Sequence, residues 1–184
     1  MRRSTTIRAL LIGLLSVILC SAGSAQTAQG TINATLVNGA GIAIVFNSDS
    51  SGVTLGGAGT ASATLNLGTV SAYGALSGGV TRSNVTIASF TVSTPFDVEV
   101  IGGVISANYT LTAQLAAAAP TGFSYQLDAV PLTTAVQTIT ATGTYNTSLQ
   151  HNLGIVISTA SPASGGPAVG TQLTSTINFV ATAN

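Results

Sequence analysis

Apolar and polar residues alternate with a period of two in several windows after residue 25, the pattern of a strand with one buried face. Between Ala107 and Leu115, Tyr109, Leu111, Ala113 and Leu115 interleave with Asn108, Thr110, Thr112 and Gln114. From Thr60 to Leu67, Ala61, Ala63, Leu65 and Leu67 share one parity. The same alternation marks Ile32, Ala34 and Leu36, then Phe96, Val98 and Val100 around Asp97 and Glu99. Near the end it marks Leu153, Ile155 and Ile157, then Ile177, Phe179 and Ala181. Val85 and Ile87 are out of phase with Phe90 and Val92, which predicts a bulge near Ala88-Ser89. Turn signals punctuate these windows: Asn38-Gly39, Ser51-Gly52, Gly56-Gly57, Ser77-Gly78-Gly79, Gly102-Gly103, Pro120-Thr121-Gly122 and Ser164 to Pro167. Ala116 to Ala119 is the one helix-favouring run; Pro120 stops it, so a crossover loop with at most one helical turn is expected. The expectation is an all-β, antiparallel sandwich of about seven to ten strands with Greek-key connections. Its predicted core is Leu65, Leu67, Ile87, Phe90, Phe96, Val98, Tyr109, Leu111, Leu115, Ile155, Ile157, Ile177 and Phe179.

The first twenty-five residues obey a different rule. Arg2, Arg3 and Arg8 precede an apolar or small run from Ala9 to Leu19, and Gly23 and Ala25 supply small residues before Gln26. This is the pattern of a secretory signal peptide, a positively charged start, a short apolar helix and a cleavage site. The run is shorter than the roughly 20 residues a membrane span needs, so no span is expected in the mature chain. Residues 1–25 are therefore read as a signal-peptide helix and 26–184 as a single β-sandwich domain. Acylation of Cys20 is the competing reading; it wants a small residue before the cysteine, and Leu19 is bulky. Cys20 is the chain's only cysteine, so the mature domain is held by its core and not by disulfides.

Charge narrows the functional classes. Only 4% of residues are charged, and beyond residue 25 Arg82 stands alone against Asp49, Asp97, Glu99 and Asp128. Nucleic-acid binding needs several cations to neutralise phosphates, and this chain lacks them. One His and no Lys make a thin acid–base inventory, and the protein is read as not an enzyme.

Each candidate chemical feature has a plainer reading. His151 has no G-x-S-x-G elbow to serve and is read as a surface or strand-end histidine. Asp97 and Glu99, two apart on a strand, share a face and are read as a solvated pair. The run Asn47 to Gly52 resembles a calcium loop but has Ala58 where the bidentate glutamate belongs. Leu55 to Thr60 is glycine-rich without the Lys-Ser/Thr of a phosphate loop. Thr138, Thr140, Thr142 and Thr144 form one rank of the kind that binds ice, where several are needed. Asn33, Asn84, Asn108 and Asn146 each open an N-x-Ser/Thr triplet. Tyr73, Tyr125 and Tyr145 are the available platform for a glycan, with Tyr109 assigned to the core. No catalytic residue, metal site or cofactor is expected.

A neutral surface of hydroxyls and amides puts little repulsion between copies. Both ends of the mature chain read as strands, Gly30 to Val37 and Thr174 to Ala183, and a terminal strand can complete a neighbour's sheet. Leu65-Asn66-Leu67-Gly68-Thr69-Val70, Ala88 to Val92 before Phe96 to Val100, and the Thr-rich last strand resemble secreted bacterial pilin-like domains of the spore-coat-protein-U type. That resemblance implies an immunoglobulin-like sandwich, export through the periplasm with a chaperone, and a structural role without catalytic residues. The expected function is a secreted structural or cell-surface protein, a fimbrial or coat-like subunit assembling through strand contacts with itself or other surface proteins. The alternative is a glycan- or surface-binding module.

Overall fold

The computed structural model describes residues 26–36, 41–102 and 106–184. The expected leader lies outside them, as do Asn38-Gly39 and Gly103. The described chain is all-β, with eleven strands in two sheets. The first sheet has the order β3 (Ser62–Val70), β1 (Gln26–Leu36), β11 (Gln172–Ala183), β6 (Tyr109–Leu115) and β9 (Gln137–Gly143). The second runs β2 (Ile42–Asn47), β5 (Ser89–Gly102), β10 (Ser148–Ser158), β7 (Phe123–Leu127) and β8 (Val130–Leu132), and β4 (Thr81–Ser83) also pairs with β5.

Alternation builds both layers. In β6 every second residue from Tyr109 to Leu115 is buried, and in β5 Phe96, Val98 and Val100 point inward between Asp97 and Glu99. The two inner faces meet at an aromatic cluster. Phe46 and Phe96 of the second sheet lie 5.3 and 6.2 Å from Phe179 of the first, edge to face, the geometry that aromatic quadrupoles favour.

The far edge of β5 is shared by β4, opposite Thr91 to Ser93, and β2, opposite Asp97 to Gly102. Thr94, Pro95 and Phe96 fall in the gap, and the loop after β2 fills it. The Val53 amide donates to Thr94 Oγ1 at 3.0 Å. Gly52 is required there, because a β-carbon would lie 2.0 Å from the Pro95 carbonyl oxygen.

Three expectations need correction. The sandwich is not wholly antiparallel: β1 and β11 run parallel, from Thr27 beside Gln172 to Leu36 beside Ala181, because both strands start at the same end of the molecule. Ile87 is not core but 99% exposed. The phase slip that suggested a bulge is instead a break between strands, with residues 84–88 forming the loop from β4 to β5. The crossover loop is where it was expected: residues 116–119, without a helical turn, run from β6 in one sheet towards β7 in the other.

Candidate functional site

The sole imidazole is the first place to look for chemistry. His151 is not at the surface: it shares the inward parity of Leu153, Ile155 and Ile157 on β10 and is 4% exposed. That parity is visible in the sequence; the flanking Gln150 and Asn152 obscured it. Asp128 reaches it from the β7–β8 hairpin, a two-residue turn in which Asp128 (φ 52°) and Ala129 (φ 65°) are both left-handed. The His151 Nδ1 to Asp128 Oδ2 distance is 2.6 Å, and the Asn152 amide donates to Asp128 Oδ1 at 2.7 Å. Burial pushes the Asp128 carboxyl up, but the bonds from His151 and the Asn152 amide, with the imidazole's charge, outweigh it and hold the group below the usual carboxylate range. His151 Nε2 is buried, with the ring beside Phe96, and has no hydrogen-bond partner among the described residues. An imidazole pinned at one nitrogen and walled in at the other ties the β7–β8 turn to β10.

Asp97 and Glu99 stand on the outer face of the second sheet, between Asn47 and Val45 on β2 and Gln150 and Ser148 on β10. Burial and the charge of Asp49 raise the Asp97 carboxyl. Asp49 is occupied by its own neighbourhood: Gln150 Nε2 donates to Oδ2 at 2.6 Å, and the Ser51 amide donates to Oδ1 at 2.7 Å. The Ser51 hydroxyl, then Gln150, holds that carboxyl low. The run Asn47 to Gly52 is thus a turn closed by its own hydrogen bonds. Among the described residues no three His, Cys, Asp or Glu side chains converge on a metal-sized site.

The glycine-rich stretch after Leu55 straps two sheet edges. Gly56 exchanges amide–carbonyl bonds with Thr64 of β3, and Phe46 of β2 donates to Thr60. The threonine rank on β9 is broken by two bulges against β6. Thr138 faces Thr112 on the outside, whereas Thr140 pairs with Leu111, an inward position. The tyrosine platform does not assemble either. Tyr73 is exposed, Tyr125 is buried, and Tyr145 is half-buried with its hydroxyl 3.0 Å from Ser106 Oγ. Tyr109 is in the core as expected. Of the N-x-Ser/Thr asparagines, Asn84 is on the exposed β4–β5 loop, while Asn146 uses its side chain to bond the Gly102 amide and carbonyl.

What the fold does concentrate is an uncharged face. The strands of the first sheet contain no Asp, Glu, Lys, Arg or His. Registers align their outer positions into cross-strand rows: Thr64, Thr31 and Thr176 in one, and Ser62, Asn33, Asn178 and Gln114 in the next. In the second row the Ser62 hydroxyl donates to Asn33 Oδ1 at 2.8 Å. No protein-family model matches the chain, and no curated protein matches it. The arrangement itself therefore carries the functional argument.

Proposed function

We propose that this is a secreted, non-catalytic structural or cell-surface protein, a fimbrial or coat-like subunit of immunoglobulin-like Greek-key type that assembles through β-strand contacts. Its partners are copies of itself or other surface proteins, with a periplasmic chaperone during transit. The placement of β1 carries this reading. The strand that follows the expected leader lies in the middle of a sheet, antiparallel to β3 and parallel to β11. Only residues 37–41 join it to β2 in the opposite layer.

A strand with one short tether and backbone pairing on both sides can be supplied by a neighbour, which remakes the same hydrogen bonds. Supplying it head to tail gives an open-ended chain of subunits. The uncharged face of this sheet supports such stacking, since no like charges meet. The strand leaves unfilled space at one point: a β-carbon on Gly30 would have no atom within 4 Å. Connections that pass repeatedly between the two layers support the Greek-key description.

The test is size-exclusion chromatography with light scattering, and electron microscopy, on concentrated exported protein. Concentration-dependent multimers or filaments are expected; a monomer at every concentration, with no filament or layer, contradicts the proposal.

A further inference from the structure

Among the described residues, charge and exposed apolar side chains are unevenly divided between the two ends of the sandwich. One end is where β5 begins at Ser89, opposite the last residue of β10, Ser158. Leu115, the last residue of β6, pairs with Ile177 near the start of β11, and residues 116–122 carry the chain to Phe123 beside Ile157 of β10, so β11 also begins at this end. Thr27 pairs with Gln172, so β1 begins there too, and β3 finishes there with Val70 beside Gln26.

Large apolar side chains are exposed on the connections gathered at this end. Ile87 (99%) and Val85 (42%) lie on the β4–β5 loop, Val169 (71%) on the β10–β11 loop, and Tyr73 (77%) on the segment leaving β3. These side chains sit on fixed backbone. Thr159 donates through its amide to Ala88 O at 2.9 Å and through its hydroxyl to Ile87 O at 2.6 Å. Ser158 donates to Gly122 O at 2.8 Å, which joins the β6–β7 loop to the same group. Residues 84–88, 116–122 and 159–171 contain no charged side chain.

Charge is segregated along the same axis. Arg82, the one described cation, sits on this half, opposite Val92, and its guanidinium donates to Ser71 O and Gly74 O on either side of Tyr73. All four carboxylates lie at or beyond the level of Pro95: Asp97 and Glu99 on β5, Asp128 bonded to His151 and Asn152, and Asp49 bonded to Gln150. That level is about 20 Å along β5 from Ser89, at ~3.3 Å per residue.

We propose that this end is a lipid-contact surface, laid against the headgroup layer of a bilayer with the acidic half turned away. Aliphatic side chains projecting from fixed loops, one aromatic and a single cation suit a deformable apolar medium bordered by phosphates. Removing these loops from water strands no charge, and the distant carboxylates escape repulsion by anionic lipid. The chain's own tether points the same way. The apolar run Ala9 to Leu19 is joined to β1 at this end through residues 20–25, a reach of at most about 20 Å. A precursor whose leader occupies a membrane thus holds this end, and not the acidic one, next to the lipid. The inference goes beyond the structural reading above and does not depend on strand exchange.

The test is flotation of residues 26–184, which carry all eleven strands, with vesicles of phosphatidylcholine and phosphatidylglycerol. The wild type is expected to float with the vesicles. Partition should fall about tenfold or more in an Ile87→Asp/Val169→Asp variant, from loss of two buried aliphatic side chains. An Ile101→Asp variant, altered at the opposite end, should float like the wild type. Circular dichroism should be the same for all three, since each position is exposed. No flotation of the wild type, undiminished flotation of the double variant, or an equal loss in Ile101→Asp would overturn the proposal. So would vesicle-free dimerisation that the double variant abolishes, which would assign this end to a protein partner.

Discussion

Replacing Asp128 by Ala removes three things at once, and the structure allows each to be weighed. The buried His151 Nδ1–H loses its acceptor, and an unsatisfied buried donor costs about 1–3 kcal/mol. The Asn152 amide also loses its bond, but near solvent, where water replaces most of it. Alanine must then hold φ near 52°, which costs an L-residue about 1–2 kcal/mol. The Asp128 side chain is 35% exposed, so its charge contributes little beyond these terms. The expected loss is about 2–5 kcal/mol in urea unfolding of residues 26–184 followed by circular dichroism, with an unchanged dependence on urea concentration. Asp128→Gly should cost about 1 kcal/mol less than Asp128→Ala, because glycine accepts the left-handed turn. Asp128→Asn should be milder still, since it keeps an acceptor and tolerates the turn. The carboxyl is held below its unfolded value of 3.8, so its contribution is fully present above that pH and is lost as pH falls through the folded value. Asp128→Asn should remove that part of the acid dependence. An Asp128→Ala variant within 0.5 kcal/mol of wild type, by the ordinary scatter of surface substitutions, would refute the reasoning.

Gly30→Ala should raise stability by about 0.5–1 kcal/mol in the same assay, because the backbone there is not left-handed and a β-carbon enters open space. Gly143→Ala should lower it by about 1–3 kcal/mol, since the added carbon would lie 2.1 Å from Cζ of the Tyr109 ring, which is fully buried. Tyr109→Phe should be neutral or slightly stabilising, because the buried hydroxyl has no hydrogen-bond partner among the described residues; a loss above about 1 kcal/mol would show a partner.

Period-two alternation made the layers legible: β3, β5, β6, β10 and β11 fall where the apolar parity places them. The inward orientation of His151 was readable from the same parity. Ile87 was misassigned because alternation is equally compatible with a bulged strand and with two strands separated by a loop; only pairing of β4 with β5 distinguishes them. The threonine rank on β9 looked continuous because bulges are events between strands, invisible in one strand's sequence. The parallel pairing of β1 with β11 and the segregation of charge along the sandwich depend on register between residues far apart in the chain. No local pattern encodes that register; mutual burial of the two inner faces does.

The proposed exchange of β1 can be tested directly. Thr31 of β1 and Thr176 of β11 are register partners on the outer face, and neighbouring strands bring Cα atoms within disulfide range. Beyond Cys20 in the expected leader the chain has no other cysteine. A Thr31→Cys/Thr176→Cys variant, oxidised after concentration and run under non-reducing denaturing conditions, should give a ladder of covalent multimers, because the two cysteines then come from different subunits. A single band of internally crosslinked monomer at every concentration would contradict assembly by strand exchange.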